Sequence, residues 1–88
     1  VNKIFVKQFK FLGDIDKFNI EYLNNFLKNY TNKENTFEEL KEAASLIQNL
    51  YLDNGYFLAQ VFLPEQEISN QIIKIDINEG KLDKKSDV

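Results

Sequence analysis

The side chains that most often perform covalent chemistry are absent from this sequence. It contains no histidine, no cysteine and no arginine. This excludes Ser-His-Asp and Cys-His nucleophilic centres, and it removes most transition-metal sites. The serines Ser45, Ser69 and Ser86 have no basic partner implied by their positions. We therefore predict that the chain is not an enzyme and that it uses no cofactor and no metal.

Carboxylates are the remaining groups that could act as acids, bases or cation ligands. The pair Glu38–Glu39 falls at the start of a predicted helix, where acidic side chains favour the helix dipole. Glu65 and Glu67 fall in a predicted loop, where they support solubility. Asp14 and Asp16 form a D-x-D pattern, which is a weak calcium signal because no further oxygen ligands or EF-hand loop accompany it.

Charge and length limit the classes of partner. The chain has 88 residues, enough for one small domain, with 14 acidic and 11 basic residues and a net charge of -3. All the basic residues are scattered lysines, which argues against nucleic acid and against anionic lipid. No apolar run approaches the ~20 residues that span a bilayer. Because the sequence starts at Val1 without a signal peptide, we expect it to be a piece of a longer protein.

The first half of the chain predicts one strand and two helices. Residues 4–12 are rich in β-branched and aromatic types, and Phe5, Phe9 and Phe11 share one parity, which predicts a strand that ends at Gly13. Asp16 or Asn19 could cap the helix that follows. That helix covers residues 20–30 and has one apolar face. The face consists of Ile20, Leu23, Phe26, Leu27 and Tyr30.

A capping box predicts where the second helix begins. Thr36 and Glu39 have the spacing in which each side chain bonds the backbone N–H of the other residue. A continuous apolar stripe from Leu40 to Tyr51 then predicts a helix from about Phe37 to Asp53. Gly55 is the expected left-handed terminator, because a residue with a Cβ is strained at positive φ. The segment 31–35 is interpreted as a polar break between the helices.

Two further strands are predicted after Gly55. Residues 56–63 form the second strand, which ends at Pro64 because proline lacks an N–H. Residues 71–78 form the third strand, with alternating isoleucines on one face. The predicted core contains residues from all of these elements. Its members are Phe9, Phe11, Leu23, Leu40, Ile47, Val61, Ile73 and Ile75.

These elements predict an α+β fold of order β-α-α-β-β. Two antiparallel helices should cover one face of a three-stranded mixed sheet, because strand faces of this kind need a covering layer. The third strand should lie in the centre, parallel to the first and antiparallel to the second. The predicted domain covers residues 1–82, and residues 83–88 are expected to be a solvated tail or linker.

The segment 50–80 carries an unusual motif in its order helix, GY, strand, LPxQ, strand, EG. It resembles the POTRA domain of outer-membrane transporters in two-partner secretion systems, the ShlB type. In that family the loop before the last strand often carries a glycine. Here Asn70 stands in its place, and asparagine tolerates left-handed φ better than most residues. The residues that carry the resemblance are Leu50, Tyr51, Gly55, Tyr56, Ala59, Val61, Leu63, Pro64, Gln66, Glu79 and Gly80.

The resemblance implies a function in transport. Such a domain would lie in the periplasm of a Gram-negative bacterium, before a C-terminal outer-membrane β-barrel of the same chain. It would bind the N-terminal secretion domain of an unfolded exoprotein and deliver it to the barrel. It would also contact neighbouring POTRA domains, and it would bind no nucleic acid.

The uncharged second strand is the expected partner-binding surface. If Ala59 and Val61 face the helices, then Tyr56, Leu58 and Phe62 face outward, and so does Gln60. They could bind a partner, or a neighbouring domain could cover them. Gln66 could likewise bind a partner or fix its own loop. A strand added along the edge of 56–63, in the groove beside helix 37–53, is the hypothesis for exoprotein binding.

Two other functional classes remain open at this point. POTRA domains also serve as scaffolds in outer-membrane assembly factors and cell-division proteins, where they organise complexes without a secreted substrate. An RNA-binding α/β domain is the third alternative. It would need a GxxG loop or aromatic residues within a basic motif, and the sequence has neither.

Overall fold

The computed structural model describes residues 2–80. The elements of this region comprise five strands, two α-helices and one short 3₁₀ helix. They are β1 (Lys3–Val6), β2 (Gln8–Leu12), α1 (Ile20–Phe26), the 3₁₀ helix (Lys28–Tyr30), β3 (Lys33–Thr36), α2 (Phe37–Asp53), β4 (Gln60–Phe62) and β5 (Ile72–Asn78). The expected tail, 83–88, lies outside the described residues.

The main sheet has the predicted topology. β5 lies in the centre, parallel to β2 and antiparallel to β4. The predicted first, third and second strands therefore occupy the order β2-β5-β4. β5 alternates buried and more exposed residues, because successive side chains of a strand point to opposite faces. Its buried residues are Ile73, Ile75 and Ile77.

The core lies between this sheet and the apolar stripe of α2. Leu40, Ala43, Ala44, Ile47, Leu50 and Tyr51 are buried on α2, and Leu23 and Leu27 join them from α1 and its C-cap. All of the predicted core residues are buried except Val61, which is half-buried. Val61 is less covered because its strand lies at the edge of the sheet.

Both helix starts follow the sequence signals. The Asn19 side chain caps α1 by accepting from the Glu21 N–H at 2.7 Å. The Thr36–Glu39 capping box is complete, with the Thr36 N–H donating to Glu39 Oε1 at 2.7 Å and the Glu39 N–H donating to Thr36 Oγ1 at 3.1 Å. α2 ends at Asp53, and Gly55 has a φ of 87°, so the predicted stop is confirmed.

The predicted strand 4–12 is two strands separated by a bend at Lys7. Val6 before the bend is buried, and Phe9 and Phe11 after it are buried, but Phe5 is 38% exposed. The prediction that Phe5 shares the face of the other two phenylalanines was therefore wrong. The bend changes the parity, because it breaks the strict alternation of an extended chain.

The interpretation of residues 31–35 as a break was also incomplete. Lys33–Thr36 forms β3, which pairs antiparallel with β1 in a second, two-stranded sheet. The side chain of Asn35 is fully buried, and its Nδ2 donates to the carbonyls of Tyr30 and Lys33. β3 is a polar strand held by backbone pairing with β1, so it carries no apolar alternation that the sequence could reveal.

Two elements are shorter than predicted. α1 ends at Phe26 rather than at Tyr30, and the 3₁₀ helix follows it. The predicted strand 56–63 is a strand only over Gln60–Phe62. Its first part is a turn in which the Ala59 N–H donates to the Tyr56 carbonyl at 3.3 Å.

Replacing Gly55 by alanine should lower the free energy of unfolding by about 1 kcal/mol, because alanine is strained at positive φ. A Cβ at Gly55 meets nothing within 4 Å, so the cost is conformational only. Gly80→Ala is the matched comparison. It has a similar φ of 74°, but its Cβ would lie 2.4 Å from the Leu58 carbonyl oxygen. Urea unfolding should rank Gly80→Ala as the more destabilised variant, and equal costs would contradict the close approach of Leu58 to Gly80.

Truncating Ile75 to alanine should cost roughly 2–5 kcal/mol, because the side chain is fully buried in the central strand. Ile68→Ala removes the same atoms from a side chain that is 44% exposed and should cost much less. Urea denaturation of both variants measures the difference. A cost at Ile75 no larger than that at Ile68 would show that the packing of β5 is misassigned.

Candidate functional site

β4 is an edge strand that has no charged side chain. It pairs with β5 on one side only, and no residue from 56 to 63 is charged. Gln60 and Phe62 are exposed, while Val61 is half-buried. Edges that must remain unpaired usually carry lysines or inward-pointing charges, and β4 has neither.

Part of the β4 edge is already hydrogen-bonded by a side chain of α2. The Val61 N–H donates to Gln48 Oε1 at 2.7 Å, and Gln48 Nε2 donates to the Ala59 carbonyl at 2.9 Å. A primary amide carries one acceptor and two donors on a planar group, much as a backbone peptide unit does. Gln48 therefore bonds the two groups that a neighbouring strand would bind at this point.

A second glutamine, Gln66, supplies the missing hydrogen-bond partners of β5 at Lys74. By the register of β4 and β5, Pro64 would stand opposite Lys74, but proline has no N–H to donate. The Gln66 side chain takes the place of Pro64 as the partner of Lys74. The Lys74 N–H donates to Gln66 Oε1 at 2.8 Å, and Gln66 Nε2 donates to the Lys74 carbonyl at 2.9 Å. Gln66 Nε2 also donates to the Pro64 carbonyl at 3.1 Å. The side chain thus fixes its own loop.

Two adjoining hollows run along α2 and the end of β4. The first, of about 290 Å³, lies between the N-terminal half of α2 and β4, and its lining includes Lys41 and Phe62. The second, of about 330 Å³, is lined mainly by apolar residues. Phe37 and Leu63 line both hollows. The second hollow is also lined by Ile4, Leu40, Pro64, Glu65, Gln66, Ile68 and Ile73. We call the two hollows together the α2–β4 groove.

A separate apolar surface lies at the opposite end of the hairpin. Phe57 is 77% exposed and Leu58 is 57% exposed. They border a hollow with Gly80, the last described residue. Tyr56, beside them in sequence, is half-buried and packs against the rings of Phe18 and Tyr51. The exposed part of this surface is therefore mainly Phe57 and Leu58, and Tyr56 lines the same hollow.

Glu79 is a buried carboxylate that binds three donors at the end of β5. Its oxygens accept from the Asp16 N–H at 2.8 Å, from the Lys17 N–H at 2.9 Å and from the Tyr51 hydroxyl at 2.6 Å. Only 7% of the residue is exposed. The carboxylate therefore joins β5, the loop before α1 and the last turns of α2.

The hydrogen bonds of Glu79 decide its charge state. Burial alone would raise the pKa of the carboxyl. The bonds from Tyr51, Asp16 and Lys17 outweigh burial, so the pKa of Glu79 lies below its ordinary value. Burial, followed by the bond to the Glu79 carboxylate, raises the pKa of Tyr51 well above its ordinary value. The pair is therefore a neutral Tyr51 hydroxyl that donates to the Glu79 carboxylate anion. This bond holds α2 to the end of β5.

Residues 4–80 match the family described as POTRA domain, ShlB-type. The chain belongs to this family. Two curated relatives are transporters. The Outer membrane transporter CdiB of Dickeya dadantii (strain 3937) is 33% identical over 55 residues, which are 62% of this chain and 10% of that protein. The Heme/hemopexin transporter protein HuxB of Haemophilus influenzae (strain 86-028NP) is 37% identical over 60 residues, 68% of this chain and 11% of that protein.

A solved structure has the same fold. CdiB from Escherichia coli superposes with a TM-score of 0.79 at 17% identity, over 88% of this chain and 14% of that one. The POTRA domain therefore spans about a tenth of the length of the curated relatives that it matches. Both curated relatives are named as transporters and not as enzymes.

The structure divides the predicted binding residues of this POTRA domain between two places. Phe62 and Gln66 line the α2–β4 groove, and Gln60 is exposed on β4 beside it. Leu58 and Tyr56 lie at the other end of the hairpin. Tyr56, predicted to face outward, is half-buried: it lines the hollow beside Phe57 and Leu58, while its ring packs against Phe18 and Tyr51.

Sequence reasoning missed two residues, one that lines the groove and one that bonds the edge of β4. Phe37, the first residue of α2, is 53% exposed, although it precedes Leu40 by three positions and so continues the apolar stripe. Gln48 also lies on the flank of that stripe, four positions after Ala44. A long polar side chain on the border of an apolar face is a signal that it reaches a backbone group of a neighbouring element.

Residues 2–80 contain no group of three or more acidic, histidine or cysteine residues placed to hold a metal. Within the same residues, no helix is long and apolar enough to cross a membrane.

Replacing Glu79 by glutamine should lower stability at neutral pH by roughly 1–3 kcal/mol, because three donors lose an anionic acceptor. A carboxyl whose pKa is lowered in the folded state stabilises the fold at pH values above its ordinary pKa of 4.5. This contribution is lost as the pH falls from 4.5 through the lower pKa of the folded state. The difference between wild type and Glu79→Gln should therefore shrink below about pH 4.5.

Urea unfolding as a function of pH measures this difference. Tyr51→Phe is the control, because it removes one donor and leaves the carboxylate with two backbone N–H groups. It should keep part of the pH dependence that Glu79→Gln loses. A gap between wild type and Glu79→Gln that is constant from pH 7 to pH 3 would contradict the assignment.

Proposed function

We propose that this POTRA domain captures an extended segment of a secreted exoprotein on the edge of β4, in the α2–β4 groove. In this proposal the domain acts in the periplasm and passes the segment to an outer-membrane β-barrel of the same protein. The observation that carries the proposal is an uncharged edge strand beside a mainly apolar groove.

The names of the relatives support a transport role for the longer protein. One is named an outer membrane transporter and another a heme/hemopexin transporter. A transporter that handles a polypeptide needs a site that accepts an unfolded chain. Backbone hydrogen bonds at a sheet edge supply such a site, because every residue except proline offers the same N–H and C=O groups.

The groove adds selection by side chains to this backbone recognition. An incoming strand would point alternate side chains toward the hollows, since side chains alternate along a strand. Phe37, Phe62 and Ile68 expose apolar area there, and among the described residues Lys41 is the only basic one that lines either hollow. Extended segments with an apolar residue at alternate positions should therefore bind best.

The surface of Phe57 and Leu58 supports a second function, contact with a neighbouring domain. These exposed apolar residues lie beside Gly80, where the described part of the chain ends. In this proposal a following POTRA domain or the barrel covers them, and the domain also serves as a scaffold. The two surfaces lie at opposite ends of the hairpin, so one domain can perform both functions.

An NMR titration of the ¹⁵N-labelled chain with the N-terminal secretion domain of its exoprotein tests the first function. Amide shifts should concentrate in β4 and the facing side of α2. Phe62→Ser should weaken binding by about tenfold, because it removes an apolar anchor that borders the groove.

Phe57→Ser is the matched control, since it also removes an exposed phenylalanine, but at the opposite end of the hairpin. It should leave exoprotein affinity unchanged. Shifts confined to α1, no shifts at millimolar partner, or equal losses in the two variants would overturn capture on the β4 edge.

A further inference from the structure

The edge of β4 has a register that the hydrogen bonds of Gln48 reveal. Residues of an antiparallel pair alternate between facing the partner strand and facing away from it. Val61 donates its N–H to Gln48, so its backbone groups face away from β5. The Val61 carbonyl and the Leu63 N–H therefore lie on the same side as Gln48, toward the Pro64 end of the groove.

Gln48 occupies only the first part of this edge. Its amide bonds the Ala59 carbonyl and the Val61 N–H, whereas the groove continues past Leu63 to the apolar hollow. Beyond Pro64 the ladder is closed by Gln66. The edge that remains for an incoming strand is thus short, and the two backbone groups next to it are held by a side chain that a strand could displace.

We propose that Gln48 is an internal competitor for strand addition, which sets where the incoming strand begins and limits how tightly it binds. The occupant is the backbone of an extended polypeptide, because the groups that Gln48 holds are a strand's own donor and acceptor. This inference rests on the proposed function of the β4 edge. A strand that pairs only beyond Val61 leaves Gln48 in place, and a strand that pairs along all of β4 must replace both of its bonds.

Such a competitor suits a domain that must release what it captures. An incoming segment that displaces Gln48 forms two hydrogen bonds with β4 and breaks the two that Gln48 made. Because the number of hydrogen bonds does not change, the affinity stays moderate. It also protects the edge when no substrate is present, because an uncharged edge with unpaired backbone groups pairs readily with other chains. The competing bonds lie within the domain, so the protection needs no partner.

Gln48→Ala tests the inference in the 88-residue chain. The probe is a short synthetic peptide of alternating valine and threonine with a lysine at each end, followed by NMR titration. Removing the competing amide should tighten peptide binding by about tenfold, since two backbone groups become available to the probe. Tightening is diagnostic, because a variant that merely damages the fold would bind more weakly.

Asn49→Ala is the matched control. It changes an exposed residue of the same helix, next to Gln48 in sequence, and removes an amide of the same kind, so it should leave the affinity unchanged.

Hydrogen exchange of the free chain gives a second readout. In Gln48→Ala the Val61 amide should exchange about tenfold faster, while the Lys74 amide, held by Gln66, should not change.

The outcomes separate the two proposals. Peptide shifts along β4 with equal affinity for wild type and Gln48→Ala would overturn the role of Gln48 and leave capture on the edge standing. An unchanged exchange rate at Val61 would overturn the role of Gln48 without any reference to binding. Peptide shifts away from β4 in every variant, or no binding by any of them, would overturn capture on the edge and the role of Gln48 with it.

Discussion

The buried carboxylate of Glu79 is the constraint on which one whole end of this domain depends. A buried charge is tolerated only with hydrogen-bond donors around it, and here the donors come from the loop before α1 and from α2. Tyr51 must therefore face β5, and the ring of Tyr56 packs against it. Gly80 follows with positive φ against the Leu58 carbonyl. Together these contacts keep the segment before Gln60 in a turn, and so β4 is short.

The same requirement, a partner for every backbone group that leaves water, governs the other end of the hairpin. Pro64 ends the pairing of β4 because it cannot donate, and the amide of Gln66 supplies what is missing to β5. On the outer side of β4 the amide of Gln48 does the same for Ala59 and Val61. The two amides differ in their place. Gln66 closes the pairing within the hairpin, whereas Gln48 bonds the outer edge of β4.

Sequence patterns predicted those elements whose apolar residues repeat, and they failed where polar bonds hold the backbone. The bounds of α2 followed from its stripe and the Thr36–Glu39 box, and the central position of β5 followed from its alternating isoleucines. β3 was missed because its residues are polar and show no apolar alternation, while its backbone pairs with β1. A groove between strand 56–63 and helix 37–53 was predicted, but the bonds of Gln48 to the strand were not. The reach of Gln48 depends on how α2 lies over the sheet, which periodicity does not specify.

The residues that carry the family motif divide between the two ends of the domain. Tyr51, Tyr56, Glu79 and Gly80 hold the end opposite the groove, whereas the motif residues that line the groove are Val61, Leu63, Pro64 and Gln66. Phe37, Lys41 and Phe62 also line the groove, but they lie outside the motif and are exposed. The packing of the core therefore constrains these three side chains less than it constrains Tyr51 or Glu79. In the proposed capture of an extended chain, backbone pairing would supply the affinity and these three side chains would supply the selection.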